Sequence, residues 1–101
     1  MKPDTILQLD PLIHAPTRLA ILSVLIAVEE ANFSYLKEAI NTSDGNLSTH
    51  LSKLESGKLI TIKKTFKGKI PQTLCRITEK GKKALSNYLN QMEKIVAMKD
   101  E

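Results

Sequence analysis

The sequence contains one cysteine, two histidines and no tryptophan. Cys75 alone cannot close an internal disulfide, and His14 and His50 stand too far apart in the chain to build a metal-ligand cluster, so disulfide scaffolds and zinc modules drop out. No cofactor is implied. The longest apolar stretch, Leu19 to Val28, is interrupted by Ser23 and falls well short of the ~20 residues that cross a bilayer. The amino terminus lacks a basic-then-apolar signal pattern. These absences lead us to expect a soluble, cytoplasmic protein without a membrane partner. The chain also lacks a nucleophile elbow, a phosphate-cradling glycine loop and metal-ligand spacing, which argues against an enzyme. Without repeats, low-complexity tracts or a Pro/Gly/Ser-rich linker, its 101 residues read as a single domain, 1–101. The ends, Met1–Ile6 and Ala97–Glu101, are expected to fray.

Hydrophobic residues make up 42% and charged residues 26%, enough apolar material for a core. The net charge is only +4, but it is unevenly spread. Residues 1–57 hold four basic and seven acidic side chains, residues 58–83 nine and one, and residues 84–101 two and three. The positive charge therefore sits in one quarter of the chain, where it would attract a polyanion.

Hydrophobic periodicity orders the rest. Pro16 suits a helix first turn, and Leu19, Leu22, Leu25 and Ile26 follow at helical spacing, predicting a buried helix over 16–29. Leu9, Leu12 and Ile13 form an apolar lead-in around Pro11. Ser34 stands where an N-cap belongs, ahead of a short helix through Tyr35, Leu36, Ala39 and Ile40 that ends by Asn41. Thr42 and Ser43 then cap a third helix. Its Leu47, Leu51 and Leu54 recur at i, i+4 and i+7, with Asp44 at the positive end of the dipole and Gly57 as the stop. At about 100° per residue, the remaining circumference carries Gly45, Asn46, Ser48, Thr49, Ser52 and Lys53. Asn, Ser and Thr are mediocre helix formers, so a property other than helix stability accounts for them.

Beyond Gly57 the period becomes alternating. Ile60 and Ile62 face one way, Thr61 and Lys63 the other. A polar tip at 65–69, with Gly68 available for positive φ, leads to a second strand through Thr73, Cys75 and Ile77. Pro71 should lie at the open end or edge of that ladder, and Cys75 should face inward as a small core residue. From Thr78 a long helix is predicted over about 78–98, its apolar seam formed by Leu85, Tyr88, Leu89, Met92, Ile95 and Val96. That seam exceeds what so small a domain covers, which points to a two-fold homodimer through those six residues.

A short helix, a tight turn, a helix with a small polar face and a lysine-tipped hairpin describe a helix-turn-helix with a wing. The expected fold class is α+β, mostly α: a winged helix-turn-helix with a two-stranded wing and a long C-terminal dimerisation helix. Short polar side chains on a helix fit the major groove and reach base edges, while lysines on a hairpin neutralise phosphates or enter the minor groove. Asn46, Ser48, Thr49 and Ser52 are the candidates for base contacts, Lys53 for phosphate or base, and Lys64, Lys67 and Lys69 for wing contacts. His50, about 60° off the leucine stripe, reads as a packed histidine. His14 has no assigned chemistry, and Arg18 is open between a carboxylate and a phosphate.

The stretch from His14 to Tyr88 also resembles the small winged-helix regulators of the MarR and ArsR types, in particular their compact bacterial and archaeal group. The resemblance rests on Pro16-Thr17-Arg18-Leu19-Ala20-Ile21-Leu22, on Ser43 to Leu51 with Leu54 and Glu55, and on Lys69 to Thr73 with Ile77-Thr78-Glu79-Lys80-Gly81. It implies a recognition helix over Ser43–Ser56, a wing over Lys63–Gln72 and dimerisation through the last helix. One departure is Gln72, where the group often carries a basic residue, leaving Lys67 and Lys69 as the stronger wing contacts. The expected partners are double-stranded DNA and a second copy. A small-molecule effector would need a pocket between dimer helices and core, and nothing in the sequence demands one. The runner-up is a winged-helix protein–protein adaptor, whose wing would show exposed aromatics and mixed charge.

Overall fold

A proline without an N–H starts the first long element, and a left-handed residue ends it. In the computed structural model, which describes residues 6–98, turns and bends over residues 8–15 lead into helix α1, Pro16–Val28, with Pro16 in its first turn. Glu29 leaves that helix at φ 67° while its N–H still donates to the Leu25 carbonyl at 2.9 Å. The expected fraying of Met1–Ile6 and Ala97–Glu101 falls largely outside the described residues.

Next comes an element with no visible signal in the sequence. Strand β1, Glu30–Asn32, pairs antiparallel with a later strand and places Ala31 opposite Cys75. Helix α2 spans Phe33–Ile40, and its cap is Asn32 rather than Ser34. The Asn32 side chain accepts from the Tyr35 N–H at 2.7 Å. Asn41, at φ 59°, closes this helix as expected.

Helix α3 spans Asp44–Ser56, with Ser43 accepting from the Asn46 N–H at 3.1 Å. It stops at Gly57 as expected, but the left-handed residue is the next one. Gly57 stays at φ −80°, and Lys58 takes the left-handed conformation at φ 63°. That residue lets the Leu59 N–H reach back to the Leu54 carbonyl at 3.0 Å, a Schellman-type closure. Gly57 is small for another reason, because a Cβ there would strike the Leu12 side chain.

Strands β2, Ile60–Lys67, and β3, Ile70–Ile77, form the hairpin, and the sheet order is β1-β3-β2. The sheet thus has three strands rather than the two expected of the wing alone. Pro71 lies near the closed end of the hairpin, opposite Phe66, rather than at its open end. It does occupy an edge, because β1 extends only as far as Leu74 along β3. Helix α4, Glu79–Ala97, starts at Thr78, whose hydroxyl accepts from the Gly81 N–H at 2.9 Å.

The core gathers Ile13, Ile21, Leu22, Leu25, Leu36, Leu47, Leu54 and Cys75, all at 0% exposure, with Leu51, Leu59, Ile60 and Leu85 at 2%. Among the described residues no charged or polar side chain is buried, and no helix is long and apolar enough to cross a membrane. The radius of gyration is 15.3 Å, against ~13 Å for a compact chain of this length.

Candidate nucleic-acid interface

Helix α3 divides cleanly in two. Leu47, Leu51 and Leu54 fix one side in the core, while Asn46, Ser48, Thr49, Ser52 and Lys53 are all exposed on the other. Local bonds orient two of these. The Asn46 Nδ2 donates to Thr42 Oγ1 at 2.7 Å, leaving its carbonyl oxygen and second N–H free to read a base edge. The Thr49 hydroxyl donates to the Gly45 carbonyl at 2.9 Å, so it faces outward as an acceptor with its methyl group. A Cβ on Gly45 would meet nothing within 4 Å, so the amino-terminal end of this face is open.

A polar bond holds α3 at its middle. Arg18 donates through Nε to the Leu12 carbonyl at 2.6 Å and through Nη2 to the Pro11 carbonyl at 3.3 Å. Its Nη1 meets His50 Nδ1 at 3.0 Å. Among the described residues the guanidinium pairs with no carboxylate; it ties the turn before α1 to α3. His50 is a packed and hydrogen-bonded residue, as its stripe-edge position implied. His14, given no role by the sequence, bonds through Nδ1 to the Tyr88 hydroxyl at 2.8 Å and so joins the same region to α4. The 74-residue separation of that pair explains why no local pattern announced it.

Arg18 can only donate, so His50 Nδ1 must accept and the ring must be neutral with its proton on Nε2. Burial, then the Arg18 charge, then Lys53 hold the His50 pKa below its ordinary 6.5. The unfolded chain consequently takes up this proton more readily than the folded one. The His50 contribution to stability is intact above pH ~6.5 and is lost as the pH falls from there toward the lower folded-state value. The melting temperature should drop more between pH 7.5 and 5.5 for the wild type than for His50→Gln, which accepts the Arg18 bond without titrating. Equal drops would remove His50 from the acid response.

The wing lysines take distinct positions. Lys64 shares one ribbon face with Ile60, Ile62 and Phe66, Lys63 and Lys67 occupy the other, and Lys69 sits in the turn. All four are exposed, and the 58–78 segment holds no acidic residue. Lys64 donates to Thr73 Oγ1 at 3.2 Å. At the base of the sheet Arg76 reaches Glu30 at 3.4 Å, so the charge left for a ligand concentrates at the distal end. Cys75 is fully buried. Burial first, with Glu55 adding and Lys64 opposing, pushes its thiol up to about 11, leaving it protonated and unreactive at neutral pH.

The expected dimer seam splits. Leu85 and Tyr88 are 2% and 4% exposed and belong to the core of their own chain, which corrects their assignment to an interface. Leu89 at 48% and Val96 at 64% stand in solvent, with Met92 and Ile95 half-buried beside them.

A helix-turn-helix whose second helix exposes a small polar face, followed by a cationic antiparallel wing, defines a winged helix-turn-helix domain. A family model described as a winged helix DNA-binding domain matches residues 17–96, and the chain belongs to that family. It is 41% identical over 80 residues to an uncharacterised protein of Methanocaldococcus jannaschii, spanning 78% of this chain and 86% of that one. In structure it is similar to a transcriptional regulator homologue from Pyrococcus horikoshii OT3, with a TM-score of 0.89 and 23% identity, covering 97% of this chain and 99% of the other. It shares its fold with a MarR-family regulator from Silicibacter pomeroyi, at a TM-score of 0.67 and 14% identity over 90% of this chain and 60% of that one. It also aligns with Bacillus subtilis PadR in complex with operator DNA, at 0.64 and 21% over 71% and 46% of the two chains.

Proposed function

We propose that this protein is a homodimeric, cytoplasmic regulator of transcription that binds double-stranded DNA sequence-specifically, with α3 in the major groove and the wing on the backbone or in the minor groove. The observation that carries this reading is the two-sided α3. Its leucines are sealed into the core, and its Asn, Ser, Thr and Lys side chains are exposed beside a ribbon that bears only positive charge. Asn46, Ser48, Thr49 and Ser52 read base edges, Lys53 contacts phosphate or base, and Lys64, Lys67 and Lys69 hold phosphates. The similarly folded PadR of Bacillus subtilis is in complex with operator DNA, which supports DNA as the partner.

The homodimer is supported by Leu89 and Val96, exposed on the carboxy-terminal half of α4 beside the half-buried Met92 and Ile95, where a two-fold partner would cover them. Such a dimer sets two recognition helices roughly 34 Å apart along the duplex. Selection from random-sequence DNA should therefore return an inverted repeat with half-sites about one helical turn apart. Asn46→Ala or Thr49→Ala should cost about 1–3 kcal/mol at particular base pairs. Recovery of single unpaired half-sites would reject the dimer, and equal losses on every sequence would reject base reading by those two residues. The adaptor reading would claim the exposed Phe66, but the uninterrupted lysine charge around that ring favours a polyanion.

A further inference from the structure

The wing ends in an apolar tip for which neither the core nor the phosphate contacts account. Phe66 is 69% exposed and Ile70 is 70% exposed, and Pro71 beside them is exposed as well. The register pairs Lys67 with Ile70 and Phe66 with Pro71 across a two-residue connection, Gly68-Lys69, with Gly68 at φ 65°. In such a hairpin the pair flanking the turn is the hydrogen-bonded one. Phe66 and Pro71 therefore form a non-hydrogen-bonded pair, the kind in which facing side chains approach most closely. The N–H that Pro71 lacks would have pointed away from β2, where β1 has already ended, so the proline stiffens the tip without breaking the ladder. The ring of Phe66 thus stands on a short, rigid support rather than on a floppy loop.

Its surroundings identify the occupant. Lys64 lies on the same ribbon face, Lys67 on the opposite one and Lys69 in the turn, and no acidic residue occurs between Lys58 and Thr78. A protein partner would be met by mixed charge. A hydrophobe bracketed by cations on both sides instead matches a duplex groove, where apolar sugars and base edges lie between two rows of phosphates.

We propose that Phe66, backed by Pro71, enters the minor groove as an apolar wedge and partly unstacks one base step, while Lys64, Lys67 and Lys69 hold the phosphates on either side. The proposal rests on the DNA-binding reading above. Proteins that insert Phe, Leu, Ile, Met or Pro between base steps kink the duplex by about 20–90°, so the wing would set the shape of the DNA as well as hold it.

The test uses full-length protein and a duplex recovered by wild-type selection from random-sequence DNA, with 2-aminopurine scanned through its flanks and dyes at its ends. Wild type should raise 2-aminopurine fluorescence at one step in each half-site and shorten the end-to-end distance. Phe66→Ala, an exposed position that leaves the fold intact, should abolish both signals and weaken binding about tenfold, with the salt dependence unchanged. Phe66→Leu should retain both. If Phe66→Ala keeps the fluorescence rise and the bend, or if wild type unstacks no step, the wedge is wrong even though the protein binds DNA. If the loss is larger on single strands than on the duplex, Phe66 stacks on unpaired bases and the wedge is equally wrong. If selection recovers no duplex at low salt, the DNA-binding reading itself fails, and the wedge with it.

Discussion

Gly81→Ala should lower the melting temperature by more than about 10 °C, because the added methyl group meets main chain. Gly81 is the third residue of α4 and is buried. A Cβ on it would land on the Leu59 carbonyl and lie 2.8 Å from the Ile77 Cγ1. The obstacle is main chain, which cannot rotate aside as the tip of a side chain can. The same carbonyl accepts from the Thr78 N–H at 2.9 Å, and the Thr78 hydroxyl lies 2.8 Å from the Lys58 carbonyl. A methyl group would therefore pry the start of α4 from the segment joining the recognition helix to the wing, at a cost of about 3 kcal/mol. Gly45→Ala is the control. Its Cβ meets open space, and alanine favours a helix over glycine by roughly 0.5–1 kcal/mol, so that variant should melt at or above the wild-type temperature. Thermal unfolding followed by circular dichroism decides both; a Gly81→Ala protein as stable as wild type would mean that α4 does not sit against Leu59.

Replacing Lys67 and Lys69 together by alanine should weaken binding to every duplex, specific or not, and flatten its dependence on salt. Each phosphate contact releases condensed counterions and contributes about 0.9 to the slope of log K against log salt. A dimer that loses four such contacts should show a slope smaller by about 3.6 and an affinity lower by on the order of 10³-fold at 0.1 M salt. A monomer would lose only two. The measurement is a titration of one duplex at several salt concentrations. An unchanged slope would reject the wing as the phosphate-binding element, whatever happened to the affinity. The opposite ribbon faces of Lys64 and Lys67 give this prediction its geometric sense, because the ribbon presents charge to both walls of a groove. The effect is also separable from that of Phe66, which removes an apolar contact and no counterions.

What could be read from residue order was whatever depends on neighbours within about two helical turns or across one hairpin. The recognition helix is such a case. Ser43, Asp44 and the stripe Leu47, Leu51 and Leu54 lie within 12 residues, and capping, dipole and periodicity all act at that range. The hairpin with Gly68 in its turn, the inward Cys75 and the start of α4 at Thr78 were legible for the same reason. The fold class and the polar face of α3 followed from these local signals, and the resemblance of the same segments to small winged-helix regulators pointed to the family.

The remainder belongs to contacts between distant segments. Strand β1 has too few residues to show alternation and exists because β3 offers it a free edge; its arrival moved the α2 cap from Ser34 to Asn32. Gly45, Gly57 and Gly81 are identical letters, yet only packing decides that one faces open space, one a Leu12 side chain and one the Leu59 backbone. The apolar seam of α4 looked continuous because periodicity records which side of a helix is greasy, not what lies against it. Tertiary structure assigned Leu85 and Tyr88 to the core and left Leu89 and Val96 in water. Arg18 with His50, and His14 with Tyr88, were likewise beyond reach, since bonds across tens of residues leave no periodic trace in the chain.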